Sequence, residues 1–183
     1  MRRTVTQTAW LLALIGCTET EPQAMEYATS TAGPTTPLTT VEPLPEVCIN
    51  ELMPANKGSL TLPDGTTPDW IELAVRDGSA DLDGWFLVND AGTPERYSLS
   101  GLSVNPDEPL LLFASETSDD GGFPWKLDAL GERVGLVDPT GDTLWVEWST
   151  VADDSALFRT TDCCSGPDCW AQQLHGSPGF PNN

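Results

Sequence analysis

The chain has 183 residues, and its 28 acidic and 8 basic side chains give it a formal net charge of −20. An acid excess of this size argues against a nucleic-acid partner, because phosphate contacts need clustered Lys and Arg. Hydrophobic residues make up 39% of the chain and include seven Trp, which is enough to build a packed core. The 16 Gly and 16 Pro favour short strands and turns over long helices.

The first 16 residues are predicted to form an export signal. Arg2 and Arg3 provide a basic start, and a short apolar run follows over residues 9–15. This run is far shorter than the roughly 20 residues that a membrane-spanning helix needs. It ends at Cys17, and the sequence LIGC over residues 14–17 resembles the lipobox of bacterial lipoproteins.

The lipobox resemblance implies that the signal is removed and that Cys17 becomes an acylated N-terminus. The lipid bilayer is then a partner of the chain, because two or more acyl chains anchor a protein stably. Thr18 follows the cysteine. In the sorting scheme known for two-membrane bacteria, an Asp at that position favours the inner membrane, so Thr18 indicates the outer membrane or the cell surface. The alternative is an ordinary cleaved secretory signal in which Cys17 occurs by chance.

Residues 17–46 are predicted to consist of the lipidated Cys17 and a disordered linker. Residues 18–46 hold eight Thr and five Pro without a Lys or Arg, and they show no apolar periodicity. Such a composition is typical of a solvated spacer. Fully extended, the linker reaches at most ~95 Å, which lifts a domain away from a membrane surface.

Residues 47–183 are predicted to form one antiparallel β-sandwich domain. Short β-rich runs alternate there with Gly-, Pro- and Asp-containing turns, and no window of helical length shows a clean helical period. The runs cover residues 47–53, 69–75, 82–88, 109–114, 133–137, 143–148 and 155–159. In the run 143–148, alternation places Leu144, Val146 and Trp148 on one face.

Four blocks of this region resemble the bacterial lamin-tail domain, an immunoglobulin-like β-sandwich. In chain order the blocks are residues 49–52 (INEL), 69–73 (DWIEL), 81–87 (DLDGWFL) and 177–182 (SPGFPN). The resemblance implies the immunoglobulin-like fold for nearly all of residues 47–182. Trp70 and Trp85 fit such a fold as core anchors, the alternative being an exposed aromatic platform for a ligand.

Four cysteines remain once Cys17 is assigned to lipid attachment. In an exported, oxidising compartment an even number of cysteines predicts disulfides, here two. A bond between the adjacent Cys163 and Cys164 would be strained, so we expect Cys48 to join one of them and Cys169 to join the other. Which of the two joins Cys48 stays open. A metal site built from these cysteines is the alternative, although there is no Cys-x-x-Cys pair.

The sequence gives little sign of catalysis. His175 is the sole His, no Gly-x-Ser-x-Gly motif is present, and no carboxylate pair stands out among the 28 acids. We therefore expect no enzyme and no cofactor. Calcium is the one cation to consider, because oxygen-rich turns are found at residues 118–122 and 138–142 and at Asp81 with Asp83. The alternative is that these acids are simply solvated.

The function expected from these features is a membrane-anchored, exported lipoprotein that displays a non-catalytic binding or adhesion module. Its partner beyond the bilayer is expected to be a surface protein or a polysaccharide, with no nucleic acid involved. The rival interpretations are a calcium-dependent carbohydrate or adhesion module, a small carboxylate-dependent hydrolase and a purely structural spacer.

Overall fold

The computed structural model describes residues 44–90, 96–115 and 122–182. The predicted signal, Cys17 and the linker as far as residue 43 lie outside the described residues, as does most of the acidic turn at 118–122. Among the described residues there is no helix with the length and apolar character to span a membrane. The first strand begins at Val47, where the sequence predicts that the β-sandwich starts.

Two antiparallel sheets and a small ribbon make up the described part of the chain. The larger sheet contains, in spatial order, β11 (Trp170–Leu174), β10 (Ser155–Arg159), β1 (Val47–Met53), β2 (Trp70–Val75) and β7 (Leu110–Phe113). The second sheet contains β5 (Arg96–Ser98), β4 (Phe86–Asn89), β8 (Glu132–Val137) and β9 (Thr143–Trp148). The ribbon consists of β3 (Ala80–Asp81) and β6 (Ser103–Val104).

The inner faces of the two sheets meet in one hydrophobic core. Ile71 and Leu73 of β2 belong to the same buried cluster as Val134 and Leu136 of β8, and Trp85 joins them. Burial of apolar surface is the main stabilising contribution to such a fold, at about 25 cal/mol per Å². The predicted all-β antiparallel sandwich is confirmed.

The outer face of the larger sheet is covered as well. All six residues of β2 are buried, whereas a strand with one solvated face alternates between buried and exposed positions. On this outer face Cys163 packs over Ala74, and Leu60 packs beside Trp70. Trp70 and Trp85 are thus both buried, as the core interpretation predicts, but Trp85 belongs to the core between the sheets and Trp70 to the cluster on the outer face.

An extra residue in β1 sets which side chains reach this outer face. Ile49 pairs with Leu73 and Glu51 pairs with Glu72, so Asn50 forms a bulge between them. A bulge reverses the alternation of faces beyond it. Without the extra residue, Glu51 would share the inner face with Ile49.

Leu144, Val146 and Trp148 share one face of the edge strand β9, as predicted. Val146 and Trp148 are buried, whereas Leu144 is 42% exposed because it lies at the start of the outermost strand of its sheet. On the opposite face Trp145 is also exposed, and the guanidinium of Arg133 lies 4.5 Å from its ring centre.

Candidate functional site

A disulfide bond joins Cys48 on β1 to Cys163 in the loop after β10. The two Cα atoms are 5.5 Å apart, although 115 positions separate them in the sequence. Both cysteines are buried against Ala74. Of the two pairings that the sequence leaves open for Cys48, the one with Cys163 is therefore formed. It fixes the first strand to the chain that covers the outer face.

Cys164 and Cys169 are free thiols in the structure, so the second predicted bridge is not formed in it. Both side chains are partly exposed. They lie in the same short loop, where the thiol of Cys164 donates to the carbonyl of Cys169 at 3.6 Å and the thiol of Cys169 donates to the carbonyl of Ser165 at 3.1 Å. A metal site made of all four cysteines is ruled out, since Cys48 and Cys163 are consumed by their disulfide.

A pair of buried carboxyl groups lies under the C-terminal segment, residues 175–182. Glu51 of β1 faces Glu72 of β2 across the strand pair, and neither has any solvent-exposed surface. Neither acid stands out in the sequence, because their burial depends on the bulge at Asn50 and on the segment that returns from the C-terminus. Acidic side chains are almost never fully buried without partners.

The C-terminal segment supplies hydrogen-bond donors to these carboxyl groups. The backbone N–H of Ser177 lies 2.9 Å from Glu51 Oε1, and its hydroxyl lies 3.0 Å from Oε2. The N–H of Gly179 donates to Glu72 at 2.7 Å. Glu72 also accepts a bond of 3.1 Å from the amide of Asn50. Three of the four lamin-tail-like blocks therefore meet at this point.

Burial shifts the protonation of this pair. It raises the pKa of Glu72 to about 7, against the lowering effect of the bonds from Gly179 and Asn50, and the nearby carboxylates of Glu51 and Asp162 raise it further. Burial also raises the pKa of Glu51, which the bonds from Ser177 oppose. The pair holds the C-terminal segment through hydrogen bonds, and Glu72 titrates near neutral pH.

A groove of about 980 Å³ runs along the edge strand β7. Its walls include Leu111 and Phe113 of β7 and the loop that connects β1 to β2. Lys57 and Lys126 both line it, and they are the only two lysines of the whole chain. These lysines are the cationic side chains of the groove, which Asp64, Asp69 and Asp153 line as well.

Asp69 holds two walls of this groove together. Its carboxylate accepts hydrogen bonds from the backbone N–H of Asn56 at 3.2 Å and of Leu127 at 3.3 Å. Burial raises the pKa of Asp69, and these bonds together with the charges of Lys57 and Lys126 oppose that shift. The aspartate of the second lamin-tail-like block thus shapes the groove.

The acidic turns that suggested calcium use their carboxylates within the turns themselves. Asp138 Oδ1 accepts bonds from the N–H of Thr140 at 2.8 Å and of Asp142 at 3.0 Å. Asp81 Oδ1 accepts one from the N–H of Asp83 at 3.1 Å. Over residues 44–90, 96–115 and 122–182 there is no group of three or more His, Cys, Asp or Glu suited to a metal ion.

His175 has a partner that the sequence did not reveal, because 116 positions separate the two residues. Its Nδ1 lies 2.8 Å from the hydroxyl of Ser59 at an exposed site. The nearby Asp154 uses its Oδ1 to accept three backbone N–H groups of the turn at 57–59, at 2.8 to 3.0 Å. This oxygen is therefore not free to orient the imidazole in the way that a catalytic triad requires.

A scan against models of protein families finds no match for this chain, and a search of curated proteins finds no relative. The resemblances to bacterial lipoproteins and to lamin-tail domains accordingly stay predictions from the sequence.

Proposed function

We propose that this protein is an exported lipoprotein, anchored through acylated Cys17, whose β-sandwich is a non-catalytic binding or adhesion module. The groove along β7 is the binding surface in this proposal. Its ligand is a surface protein or polysaccharide that carries anionic groups.

The observation that carries the proposal is the placement of Lys57 and Lys126. Both lysines line one groove next to the apolar side chains of Leu111 and Phe113. A concave surface with apolar walls and a few polar groups is the usual form of a binding site. Complementary charge at such a site selects the partner and speeds its association.

The anchor is supported by the LIGC sequence and by the Thr- and Pro-rich stretch that follows it. We expect Cys17→Ser to move the protein from the membrane fraction to the soluble fraction. Thr18→Asp is the matched control, because it leaves the acylated cysteine in place and should change only the membrane to which the protein is sorted. Membrane retention of Cys17→Ser would refute the anchor.

The groove is tested by binding of the full-length protein, solubilised in detergent, to arrays of anionic and neutral polysaccharides and acidic peptides. We expect Lys57→Ala and Lys126→Ala each to weaken binding about tenfold, because each removes a charge-assisted contact. Arg96→Ala is the control, since it removes one positive charge from β5, outside the groove lining. Equal effects of all three variants would refute the groove as the binding surface.

The same array distinguishes binding through the groove from calcium-dependent binding. Binding that disappears when calcium is chelated, and that neither lysine substitution changes, would favour a calcium-dependent carbohydrate or adhesion module. Binding that persists in chelator and falls as salt rises would support the groove, because salt screens contacts between exposed charges.

A further inference from the structure

We propose that Cys164 and Cys169 form a thiol–disulfide exchange site, in which Cys164 attacks a disulfide of another molecule and Cys169 resolves the mixed disulfide. The site lies on the loop between β10 and β11. The proposed binding function does not depend on it.

The sulfur of Cys164 has two close polar neighbours. The hydroxyl of Thr160 lies 3.8 Å from it, and the carbonyl of Cys169, to which the thiol donates, lies 3.6 Å from it. A hydroxyl that donates to the sulfur stabilises the thiolate, which is the nucleophilic form of cysteine. Burial raises the pKa of Cys164, but the hydrogen bonds outweigh it and lower the pKa to about 7.

The two cysteines are unequal in the way that exchange requires. The thiol of Cys169 donates to the carbonyl of Ser165 at 3.1 Å, a shorter bond than the 3.6 Å bond of the Cys164 thiol. The neighbouring Cys164 and burial raise the pKa of Cys169, and the charge of Arg159 opposes that shift only in part. Cys164 is therefore the attacking thiol and Cys169 the resolving one. Attack is fastest for a thiol whose pKa lies near the ambient pH.

Arg159 brings a fixed positive charge to both thiols. Its side chain is 5% exposed, its Nε donates to the carbonyl of Ile49 at 2.8 Å, and its Nη1 donates to the carbonyl of Cys164. The guanidinium lies 4.6 Å from the ring centre of Trp170. A cation held so firmly favours the thiolate without depending on a mobile side chain.

The loop also leaves the site accessible. Cys164 and Cys169 are both partly exposed, and the four residues between them, 165–168, are all exposed. Gly166 has a φ of 108° in this turn, a conformation that glycine adopts easily. By contrast, Cys48 and Cys163 are 3% and 2% exposed, so their bond is shielded from exchange.

The reaction balances with a disulfide of small or protein thiols as the oxidant. The thiolate of Cys164 attacks one sulfur of that disulfide, a mixed disulfide forms, and one thiolate leaves. Cys169 then loses its proton to solvent and attacks the sulfur of Cys164, which releases the second thiolate. The two cysteines are oxidised by two electrons, and the external disulfide is reduced to two thiols.

The test uses the full-length Cys17→Ser protein, so that position 17 contributes no thiol. After mild reduction, mass spectrometry should find two free thiols and an intact Cys48–Cys163 bond. Oxidised glutathione should then close the Cys164–Cys169 bond in this protein, whereas the additional change Cys169→Ala should stop the reaction at one glutathione adduct. The change Cys164→Ser should slow the first step about tenfold or more, because Cys169 forms little thiolate.

A second measurement tests whether Cys164 reacts because its thiol pKa is lowered or only because the thiol is exposed. The rate of alkylation of Cys164 should rise with pH to a midpoint near 7, the pKa of its thiol. Thr160→Val should move that midpoint upward because it removes one donor. Similar reaction rates for the two thiols, a midpoint at the ordinary value for cysteine, or a Cys164–Cys169 bond that resists mild reduction would each overturn the proposal.

Discussion

The carboxyl groups under the C-terminal segment and those in the surface turns are the same chemical group in opposite environments. Glu51 and Glu72 have no exposed surface, and burial raises the pKa of both. Asp138 and Asp154 are partly exposed, and hydrogen bonds lower their pKa values. The bonds to Asp138 come from its own turn, and those to Asp154 come from the turn at 57–59. In both regions the carboxyl group holds a loop in place through hydrogen bonds. Only in the buried region does ionisation of the carboxyl group oppose folding.

This contrast shows why the number of acidic residues says little about which of them affect stability. A net charge of −20 is a property of the whole surface, whereas Glu72 responds to a few local contacts. Bonds from N–H groups satisfy a carboxylate in either place, but they offset the loss of water only partly when the group is buried. The buried pair should therefore dominate changes in stability near neutral pH.

The largest effect is expected from Gly176→Ala, which disturbs the buried pair directly. A Cβ at this position would overlap Glu51 Oε1 and lie 2.9 Å from the Cβ of Ala156, at a φ of 65°. The hydrogen bonds from Ser177 to Glu51 keep the carboxylate from moving away from the added Cβ. We expect a loss of about 3–5 kcal/mol in the free energy of unfolding, measured by urea denaturation.

Gly179→Ala is the matched control for this substitution. Gly179 also has a positive φ, of 81°, but a Cβ there meets nothing within 4 Å. Backbone strain alone should cost about 1–2 kcal/mol. Equal losses in the two variants would show that strain, rather than the contact with Glu51, accounts for the effect.

A pH series tests the charge of the buried pair. Because the pKa of Glu72 is raised from its ordinary value of 4.5 to about 7, its contribution to stability is present below pH 4.5 and is lost as the pH rises through 7. The loss is on the order of 3 kcal/mol, at about 1.4 kcal/mol per pH unit. Stability measured by urea denaturation should therefore be higher at pH 4.5 than at pH 8.

Glu72→Gln should flatten this dependence, because the amide cannot ionise. Some slope should remain, since burial also raises the pKa values of Glu51, Asp69 and Glu132. An unchanged slope would mean that general repulsion among the surface acids, and not Glu72, controls stability in this pH window.

The strands with strong apolar character could be predicted from the sequence. The runs at 47–53, 143–148 and 155–159 coincide with β1, β9 and β10. The run at 82–88 was placed too early, because Gly84 turns the chain with a φ of 81° and β4 begins only at Phe86. The polar strand β11 was missed, since WAQQL has little apolar alternation and pairs along the whole length of β10.

The functional sites could be predicted only where the chemistry is local in the sequence. The cysteines and the lamin-tail-like blocks are visible as residues, but the choice of Cys163 over Cys164 as the partner of Cys48 depends on which sulfur points at Ala74. The groove brings together Lys57 and Lys126 from distant loops. No pattern in the sequence predicts that the two lysines line one groove, because their proximity follows from the order of the strands in the sheet.

The smallest effect, and the opposite pH dependence, is expected from Asp154→Ala. The pKa of Asp154 is lowered by its backbone bonds, chiefly the one from Lys57, so its contribution is present above pH 3.8 and is lost as the pH falls below that value. We expect a fall of a few degrees in the melting temperature at pH 7 and a smaller fall at pH 2, where only the strain of Ala at a φ of 56° remains. Asp107→Ala is the control for loss of one exposed acid. If Asp154→Ala instead destabilised the protein most at low pH, the distinction between the two kinds of carboxyl group would fail.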